Sequence, residues 1–334
     1  MTTVTLTLDA LHDLAKDILV VHNTADANAE QVAAALAAAE ADGQSGHGAS
    51  RIPSYAAQAK SGKVDGHAAP KLAKVTPAAL RVDARGGFAF PAINLATEAL
   101  VELTRETGVA AVAIANSHHS GVAAHHVEPI ANAGLIGLSF GNGPQGIAPW
   151  GGNKGLFGTN PIAFAAPRRK QSPLVIDMSL SKVARGKINV AAQKGEPIPE
   201  GWAVDADGKP TTDPKAALDG TMLPMGDAKG AQLVLMVEIL AAALSASHFG
   251  YEASSFFTGE GEPPLVGQLL LAIDPDPLSR NRFQERLEDL LAAIVAQPGT
   301  RLPGERRYGL RAQSAQHGIA LPQGLYDQLM TLRG

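Results

Sequence analysis

The stretch of residues 135–146 reads LIGLSFGNGPQG, and the fold class depends on it. Its apolar half predicts a strand, and its second half matches G-x-G-x-x-G, the fingerprint of a Rossmann nucleotide-binding turn. That turn needs a helix whose N-terminus faces the pyrophosphate, yet Pro149, Gly151 and Gly152 follow instead. No acidic residue stands at the end of the next strand. We therefore predict a plain glycine-rich turn and a non-Rossmann architecture.

Predicted strands and helices alternate on both sides of this stretch. Short apolar runs bounded by turn residues indicate strands at Leu80–Asp83, Val109–Ala115, Pro161–Ala165, Leu174–Asp177 and Gln268–Asp274. Longer segments with helical periodicity indicate helices at Asn94–Thr107, Val122–Ala133, Lys229–Ser247 and Arg282–Ala296. The centre of the chain is therefore predicted to be α/β, in the α+β sense.

Both ends of the chain are predicted to be helical. Thr7 is placed to cap a first helix, and Val32–Ala39 marks the apolar face of a second. Two closing helices, at Arg306–His317 and Pro322–Arg333, are expected to pack back on these first helices. The predicted division is a helical domain of residues 1–75 and 280–334 around a central α/β domain of residues 76–279.

The composition is that of a globular protein that acts on small molecules. Hydrophobic residues make up 45% of the 334 residues, which is enough to form a large buried core. The 28 basic and 32 acidic residues give a net charge of −4, so the broad positive field that nucleic acids and anionic membranes require is missing. Small molecules and other subunits are the expected partners.

The absence of cysteine and the short apolar segments indicate the cellular compartment. No cysteine is present, which excludes disulfides, thiolate nucleophiles and cysteine-bound metals. Residues 1–13 lack the pattern of a secretory signal, and Ala231–Leu244 is too short to span a bilayer and is interpreted as a buried helix. A cytoplasmic location is the expectation.

A glycine-flanked histidine is the most informative local motif. Gly46-His47-Gly48 ends a polar loop, and the small neighbours of the imidazole let a ligand approach it closely. Arg51 follows one helical turn later, and an arginine is suited to pair with a carboxylate. From spacing alone, a surface position for His47 and Arg51 is as well supported as a site.

Four histidines and one carboxylate raise the question of a metal site: His118, His119, His125, His126 and Glu128. Neutral imidazoles and a carboxylate can hold zinc or iron. Their spacing fits no compact ligand set, because on a helix His125 and His126 point about a quarter-turn apart. We predict no metal and interpret these histidines as hydrogen-bonded or solvated, with a metal site as the less favoured alternative.

Further motifs lie along nearly the whole chain: Asp42–Tyr55, Ser117–His119, Gly155–Phe164 (GLFGTNPIAF), Val175–Met178, Gly195–Gly201, Gly226–Gly230 and Arg301–Tyr308 (RLPGERRY). In this order they resemble the malate/L-lactate dehydrogenase family that is unrelated to the Rossmann enzymes and includes sulfolactate and ureidoglycolate dehydrogenases. FGTNPIAF and RLPGERR are the most specific parts. The branch they resemble most is that of the Δ1-piperideine-2-carboxylate/Δ1-pyrroline-2-carboxylate reductases.

This resemblance implies a mostly antiparallel sheet flanked by helices, a homodimer, and NADPH or NADH bound by separate segments. The residues that it assigns to the cofactor are Ser120, Gly121, Val122, Ala123, Ala124, Asp177, Met178, Ser179, Ala228, Lys229, Arg301, Leu302, Pro303, Gly304, Glu305, Arg306 and Arg307. The residues expected near the substrate are Arg51, Ser45, Thr159 and Asn160. His47 falls on the family's catalytic histidine, and His119 is the second choice for proton transfer.

Two positions depart from the family pattern. Gly46 replaces the serine that usually precedes the catalytic histidine, and Ser45 is displaced from it by one residue. Lys187 stands where the imino-acid reductases have an aspartate proposed to assist that histidine. A lysine in such an ARGK run is common in the broader family, so Lys187 is kept as a catalytic candidate.

The sequence therefore predicts an NAD(P)H-dependent oxidoreductase in which Arg51 orients a substrate carboxylate and His47 manages a proton. The favoured reaction is reduction of the cyclic 2-imino acids Δ1-pyrroline-2-carboxylate and Δ1-piperideine-2-carboxylate to L-proline and L-pipecolate, because Arg301–His317 and Gly267–Pro275 resemble that branch most. A malate- or lactate-type 2-hydroxy acid dehydrogenase is the enzyme alternative. A non-catalytic ligand-binding homologue is the third, and the choice between NAD and NADP stays open.

Overall fold

The structure is a computed structural model and describes residues 2–334. Its helices are α1 (Leu8–Val21), α2 (Asp26–Ala41), α3 (Ile52–Ser61), α4 (Ala89–Thr107), α5 (Ala124–Asn132), α6 (Arg185–Lys194), α7 (Pro214–Asp219), α8 (Asp227–Glu238), α9 (Pro275–Ser279), α10 (Phe283–Val295), α11 (Glu305–His317) and α12 (Gln323–Arg333). Its strands are β1 (Thr3–Leu6), β2 (Lys71–Thr76), β3 (Ala79–Asp83), β4 (Val109–Ser117), β5 (Ile136–Gly141), β6 (Ile162–Ala166), β7 (Leu174–Met178), β8 (Ala203–Val204), β9 (Thr221–Met222), β10 (Val266–Ile273) and β11 (Ile319–Pro322).

A seven-stranded sheet with the order β2-β3-β4-β10-β5-β6-β7 forms the centre of the molecule. β3 and β4 pair in parallel, and every other neighbouring pair in this sheet is antiparallel. β10 lies between β4 and β5 although it comes more than a hundred residues after them, and Leu270 pairs with Val112 on one side and Ser139 on the other. The predicted mostly antiparallel sheet flanked by helices is confirmed.

Successive side chains on a strand point to opposite faces of the sheet, and a hydrophobic core covers each of the two faces. Val112 and Leu270 pack on one face with α4 and α5. Ala113 and Leu269 pack on the other face with Val234 of α8 and the core beside it. This explains why the central strands read as nearly continuous apolar runs instead of alternating with polar residues.

The two ends of the chain share one hydrophobic core. Leu11, Leu36 and Tyr55 of the first three helices are fully buried there, together with Leu321 of β11 and Leu329 of α12. β1 pairs antiparallel with β11 beside this core. The closing helix α12 therefore packs back on the N-terminal helices as expected. The predicted domain boundary at residue 75 falls within β2, whose residues pair with β3 in the central sheet.

Several elements differ from the prediction. α4 begins at Ala89, five residues before the predicted start at Asn94, because Pro91 lies in the first turn, where a helix tolerates it. The single helix predicted over Lys229–Ser247 is instead α8 followed by a π-helical segment, Ile239–Ala243. The prediction that Ala231–Leu244 is a buried helix is wrong for one face, where four apolar side chains are 44–58% exposed: Leu235, Met236, Ile239 and Leu244.

The terminal strands β1 and β11 and the edge strand β2 were not predicted, nor were the small elements α6, α7, β8 and β9. β2 is exposed along its whole length, so it has no buried face to reveal it in the sequence. Within residues 2–334, no helix has the length and apolarity needed to cross a membrane.

Candidate active site

The loop before α3 places His47 and Arg51 on two consecutive 3-10 turns, Ser45–His47 and Ala49–Arg51. Glu40 of α2 holds this loop, since its Oε1 accepts a hydrogen bond of 2.8 Å from the Ala49 amide. A Cβ on Gly48 would lie 2.5 Å from Cγ of Glu40, so any larger residue there would displace the Glu40 side chain from this position. The loop is thus built around an acidic side chain that the sequence motif did not include.

His47 stacks on His119, with ring centroids 5.2 Å apart and planes 15° from parallel. Nδ1 of His119 is hydrogen-bonded to the Tyr55 hydroxyl at 2.5 Å, and Tyr55 is fully buried in α3. His118 turns to the other side and bonds through Nε2 to Oε1 of Gln58 at 2.9 Å. The structure therefore brings together the two histidines that the sequence nominated for proton transfer.

Arg51 lies beside this pair with one face covered. Its Nε donates to the Gly46 carbonyl at 2.7 Å, and its guanidinium carbon lies 4.3 Å from the ring centroid of Phe257. Two buried nitrogens of the site, Nη1 of Arg51 and Nδ1 of His47, have no hydrogen-bond partner within residues 2–334. Such groups are costly to leave unsatisfied, so a bound group that accepted or donated a hydrogen bond there would remove that cost.

Burial sets the protonation state of these histidines. Burial, together with the smaller effect of the positive charge of Arg51, lowers the pKa of His47 to about 4. Burial likewise lowers the pKa of His118 to about 3 and that of His119 well below its ordinary value. Burial raises the pKa of Tyr55, which stays protonated. At neutral pH the site holds neutral imidazoles that are able to accept a proton.

Three of the segments assigned to the cofactor meet at the edge of the sheet. The Ala124 amide donates to Oδ2 of Asp177 at 2.9 Å, which joins the start of α5 to the end of β7. Gly304, the residue before α11, is so close to β7 that a Cβ on it would lie 3.2 Å from the Val175 carbonyl. Beside this contact lies a cavity of about 210 Å³ whose wall includes Leu302.

The basic residues of the cofactor segments differ in what they contact. Arg301, Arg306 and Lys229 are exposed, and their side chains form no hydrogen bond or ion pair with any other residue between 2 and 334. Arg307 is buried and donates from Nη2 to Glu128 at 3.2 Å. The exposed cations are therefore free for a phosphate, whereas Arg307 is engaged in the protein.

A buried ionic cluster joins the His47 loop to the cofactor segments. Asp42, which precedes the loop, accepts from Nε of Arg311 at 2.7 Å and bonds to Nε2 of His125 at 2.8 Å. Arg311 also donates from Nη1 to Glu128 at 2.6 Å. Burial by itself raises the pKa of Asp42, but Arg311 and His125 outweigh it and the pKa falls to about 2. The cluster connects α2, α5 and α11.

The four histidines singled out for a metal each have a separate protein partner. His125 contacts Asp42, while Nε2 of His126 is 2.8 Å from the Ser120 carbonyl. His118 and His119 are bonded to side chains of α3, as described above. Of the two interpretations left open from the sequence, the arrangement agrees with hydrogen-bonded side chains.

Asn160 is hydrogen-bonded to a second buried carboxylate, that of Glu238. Its Nδ2 donates to Oε2 of Glu238 at 2.7 Å and to the Val234 carbonyl at 3.0 Å, while its Oδ1 is buried without a partner among residues 2–334. Glu238 also accepts from Asn142 at 3.1 Å and from the Gly250 amide at 2.7 Å. Burial raises the pKa of Glu238 despite these donors. Asn160 therefore takes part in the loop framework behind the site.

Three predicted site residues, within the described residues 2–334, form no side-chain hydrogen bond or ion pair with His47 or Arg51. Lys187 is exposed on the first turn of α6, and the side chains of Ser45 and Thr159 form no hydrogen bond within the described part of the chain. Their assignment as site residues stays a prediction. The sequence reasoning missed Tyr55, Phe256 and Phe257, and the only signal for them was an aromatic residue one turn after Arg51 and an aromatic pair in a glycine-rich loop.

Comparison with known proteins agrees with this fold. The family model of malate/L-lactate dehydrogenase matches residues 6–330. The chain is 54% identical over 301 residues, 90% of each protein, to the (2R)-3-sulfolactate dehydrogenase (NADP(+)) of Chromohalobacter salexigens. It is 43% identical over 338 residues to the Delta(1)-pyrroline-2-carboxylate/Delta(1)-piperideine-2-carboxylate reductase of Pseudomonas putida, covering 100% of this chain and 98% of that one.

A solved structure gives the same result. The crystal structure of delta1-piperideine-2-carboxylate reductase from Pseudomonas syringae pathovar tomato superposes with a TM-score of 0.93 at 42% identity, covering 99% of this chain and 100% of that one. With these matches, the fold and the site define an oxidoreductase outside the Rossmann class. The chain belongs to the malate/L-lactate dehydrogenase family, as the sequence motifs predicted.

Proposed function

We propose that this protein is an NAD(P)-dependent dehydrogenase of a small 2-hydroxy acid that interconverts the hydroxy acid and its 2-oxo acid. The observation that carries the proposal is the pair of buried, unpartnered nitrogens on His47 and Arg51. An arginine edge is suited to a carboxylate, and a neutral imidazole is suited to take the proton of a hydroxyl. A 2-hydroxy acid offers both groups on adjacent carbons.

The residues of the chain divide the work as follows. Arg51 holds the substrate carboxylate and thereby fixes the orientation of C2. The nicotinamide, when bound, accepts or returns the hydride at C2. His47 takes the hydroxyl proton during oxidation and returns it during reduction, because its lowered pKa keeps it neutral at physiological pH. His119, oriented by Tyr55, is the second group placed to carry that proton.

The proposed substrate class rests on the relatives and on one residue, Lys187. The sulfolactate dehydrogenase is the more similar of the two named relatives, at 54% against 43% identity. Lys187 stands where the imino-acid reductases are expected to have an aspartate, and a lysine there is common in the broader family. We therefore propose a 2-hydroxy acid of the 3-sulfolactate class as substrate, with sulfopyruvate as its oxidised form.

Cyclic 2-imino acids, the substrates favoured by the sequence motifs, remain the second candidate. The observation in their favour is the similarity of nearly the full chain to the reductases, at 42–43% identity and a TM-score of 0.93. A cyclic imine is best reduced when already protonated, so the neutral histidines would have little proton transfer to perform. This is the physical reason for placing the imines second.

For the cofactor, we propose NADP(H) bound between the start of α5, the end of β7 and the start of α11. The exposed Arg301 and Arg306 support this assignment, since phosphate groups are best bound by unpaired cations beside a helix N-terminus. The sulfolactate dehydrogenase relative is an NADP(+) enzyme by name, which points the same way.

We also propose a homodimer and keep the cytoplasmic location as a prediction. The apolar side chains that α8 and the segment after it leave exposed, Leu235, Met236, Ile239 and Leu244, support an association of subunits. Light scattering coupled to gel filtration measures the mass of the assembly, and a mass near 34.5 kDa would contradict the dimer.

The test of function is a substrate panel followed by absorbance of NADPH and NADH. It contains 3-sulfolactate, malate and lactate for oxidation, and sulfopyruvate, Δ1-pyrroline-2-carboxylate and Δ1-piperideine-2-carboxylate for reduction. Highest kcat/KM with the sulfolactate pair is expected. Highest kcat/KM with an imine would replace the proposal by the second candidate, and cofactor binding without any turnover would favour the non-catalytic ligand-binding reading.

Two variants test the site. His47→Ala is expected to lower kcat by about 10²- to 10⁴-fold, the usual contribution of general acid–base catalysis, and Arg51→Ala is expected to raise KM for the acid strongly. Both variants should keep the circular dichroism spectrum of the wild type. Normal steady-state kinetics in either variant would contradict the assignment of that residue.

A further inference from the structure

A loop outside the predicted site covers the carboxylate-binding arginine. The loop Ser254–Glu262, named the aromatic loop here, carries Phe256 and Phe257 in adjacent positions. Phe256 is buried and packs on both His118 and His119, with ring centroids 5.3 and 5.1 Å apart. Phe257 is 60% exposed and lies over the guanidinium of Arg51 at 4.3 Å. The two rings therefore contact the proton-transfer group and the anion-binding group at once.

The aromatic loop has no helix or strand, yet it is firmly held by one buried cation. Lys63 is 3% exposed, and its Nζ donates to the carbonyls of Ser255 at 2.7 Å, Thr258 at 3.0 Å and Glu260 at 2.6 Å. A lysine ammonium has three donors, so all of them are used on this loop. Lys63 thus replaces the backbone hydrogen bonds that an irregular loop lacks.

The other anchors of the aromatic loop come from α3. Gln58 donates to the Phe256 carbonyl at 2.9 Å, and Ser61 donates to the Gly259 carbonyl at 2.8 Å. The backbone at Gly259 passes so close that a Cβ on it would lie 2.9 Å from the Ala57 carbonyl. Since Arg51 is the residue immediately before α3, the arginine and the ring above it are both positioned by this helix.

We infer that Phe257 is a substrate-positioning residue that fixes the Arg51 guanidinium for a carboxylate, and that Lys63 is the residue that holds Phe257 in place. With Nε engaged by Gly46 and one face covered by Phe257, the guanidinium presents its edge. The ring also shields the ion pair from water on that side, which strengthens it. This inference rests on the proposed function only in naming the carboxylate of the substrate.

The main test is Phe257→Leu, which keeps an apolar side chain but removes the ring. The expected result is a rise in KM for the acid substrate of about threefold to thirtyfold, with kcat and the KM for NADPH within twofold of the wild type. The matched control is Tyr251→Leu, an exposed aromatic residue of the preceding segment that stacks on Phe249. A loss of kcat at unchanged KM, or equal effects of both variants, would overturn the inference.

The second variant is Lys63→Met, with the exposed Lys60→Met of α3 as its control. Lys63→Met is expected to raise the same KM and to make residues 254–262 the first site of cleavage in limited proteolysis. Unchanged KM together with cleavage as in the wild type would overturn the role of Lys63. Phe257 is exposed, so the first variant remains informative even where Lys63→Met is too unstable to purify.

A binding measurement separates this inference from the proposed function. Calorimetric titration with oxamate, a small unreactive carboxylate, is made on the wild type and Phe257→Leu in the presence of NADPH. Weaker binding to Phe257→Leu supports the inference even if the wild type turns over no member of the panel. Equal binding to both proteins, or none to the wild type, overturns it even if turnover supports the proposed dehydrogenase.

Discussion

His47 illustrates how much of a site depends on single residues around it. Its position between glycines marked it in the sequence, but the reason for Gly48 lies in Glu40, whose side chain occupies the space that a Cβ would need. The stacking partner His119 comes from the end of a strand more than seventy residues later. Burial among these groups, rather than the motif itself, makes the imidazole a neutral base.

The pH dependence of activity follows from that burial. A group with a lowered pKa stays neutral until the pH falls to the lowered value, so His47 loses its function as base only near pH 4, well below the ordinary 6.5. The acid limb of kcat/KM for oxidation, which reports the free enzyme, is therefore expected near pH 4.

The measurement is a pH profile of the wild type and of His67→Gln, which changes an exposed histidine and should leave the profile unaltered. An acid limb near pH 6.5 in both proteins would show that His47 titrates as a solvated histidine does. That result would remove the argument for a neutral buried base.

At the scale of elements, the Asp42 cluster ties three helices together. Asp42 immediately follows α2, Glu128 belongs to α5, and Arg311 of α11 forms ion pairs with both carboxylates. Removing one partner from such a buried cluster leaves an uncompensated charge, which is strongly destabilising. The cluster therefore holds the loop of His47 at a defined place relative to the cofactor segments.

Acid sensitivity is the expected consequence of this cluster. The pKa of Asp42 is depressed to about 2, so its contribution to stability is present above the unfolded value of 3.8 and is lost as the pH falls through 2. The difference corresponds to a contribution on the order of 2 kcal/mol. Urea unfolding at several pH values should show this loss in the wild type.

Asp42→Asn is expected to be less stable at pH 7 and to lack this part of the pH dependence. Asp219→Asn, at an exposed position at the end of α7, is the control and should behave as the wild type. Parallel pH dependence in wild type and Asp42→Asn would mean that the cluster is not what makes the protein sensitive to acid.

The buried carboxylate of Glu238 holds three loops together, as the Asp42 cluster holds three helices. It joins the turn at Asn142, the turn at Asn160 and the backbone at Gly250 on one carboxylate. The loops meet closely enough that a Cβ on Gly250 would lie 2.8 Å from the Gly143 carbonyl. The G-x-G-x-x-G stretch is thus in close contact with a second loop, and Gly250 is the glycine that this contact requires.

In the Glu238→Gln variant one carboxylate oxygen becomes an NH2 group. This group would face one of the N–H donors that bond to the carboxylate in the wild type, and two donors cannot form a hydrogen bond with each other. We expect the free energy of unfolding to fall by about 1–3 kcal/mol, the cost of leaving buried polar groups unsatisfied. Chemical denaturation measures the change, and Glu98→Gln on the exposed side of α4 serves as the control. A change no larger than that of the control would indicate that the loops are held by other contacts.

At the scale of the molecule, the core formed by both chain ends is continuous with the active-site helix. Tyr55 is buried in that core and also bonds to His119, so the packing of the terminal residues reaches the site directly. Leu329 of the last helix is fully buried among the N-terminal helices. Stability and site geometry are therefore coupled through α3.

Leu329→Ala is expected to lower the free energy of unfolding by about 2–5 kcal/mol, because it removes buried methyl groups and leaves a cavity. Leu278→Ala, at a position that is 75% exposed, is the matched control and should change it by less than about 0.5 kcal/mol. Equal effects in thermal or chemical unfolding would contradict a shared terminal core.

The sequence by itself determined the alternation of strands and helices, the non-Rossmann character of the glycine-rich turn and the family, and it nominated His47 and Arg51 as site residues. These features are local: apolar periodicity, turn residues and motif spacing lie within short windows of the chain. Exposed or very short elements such as β2 and β8 were missed because they leave no such pattern.

Only the tertiary structure decided which distant residues meet. It placed β10 in the middle of the sheet, Phe257 on Arg51, Tyr55 on His119 and Glu238 beneath three loops. Each of these contacts joins residues far apart along the chain, and its partner is selected by packing and by the need to satisfy buried polar groups. The tertiary structure also sets the protonation state of the histidines, since their burial is a property of the folded molecule.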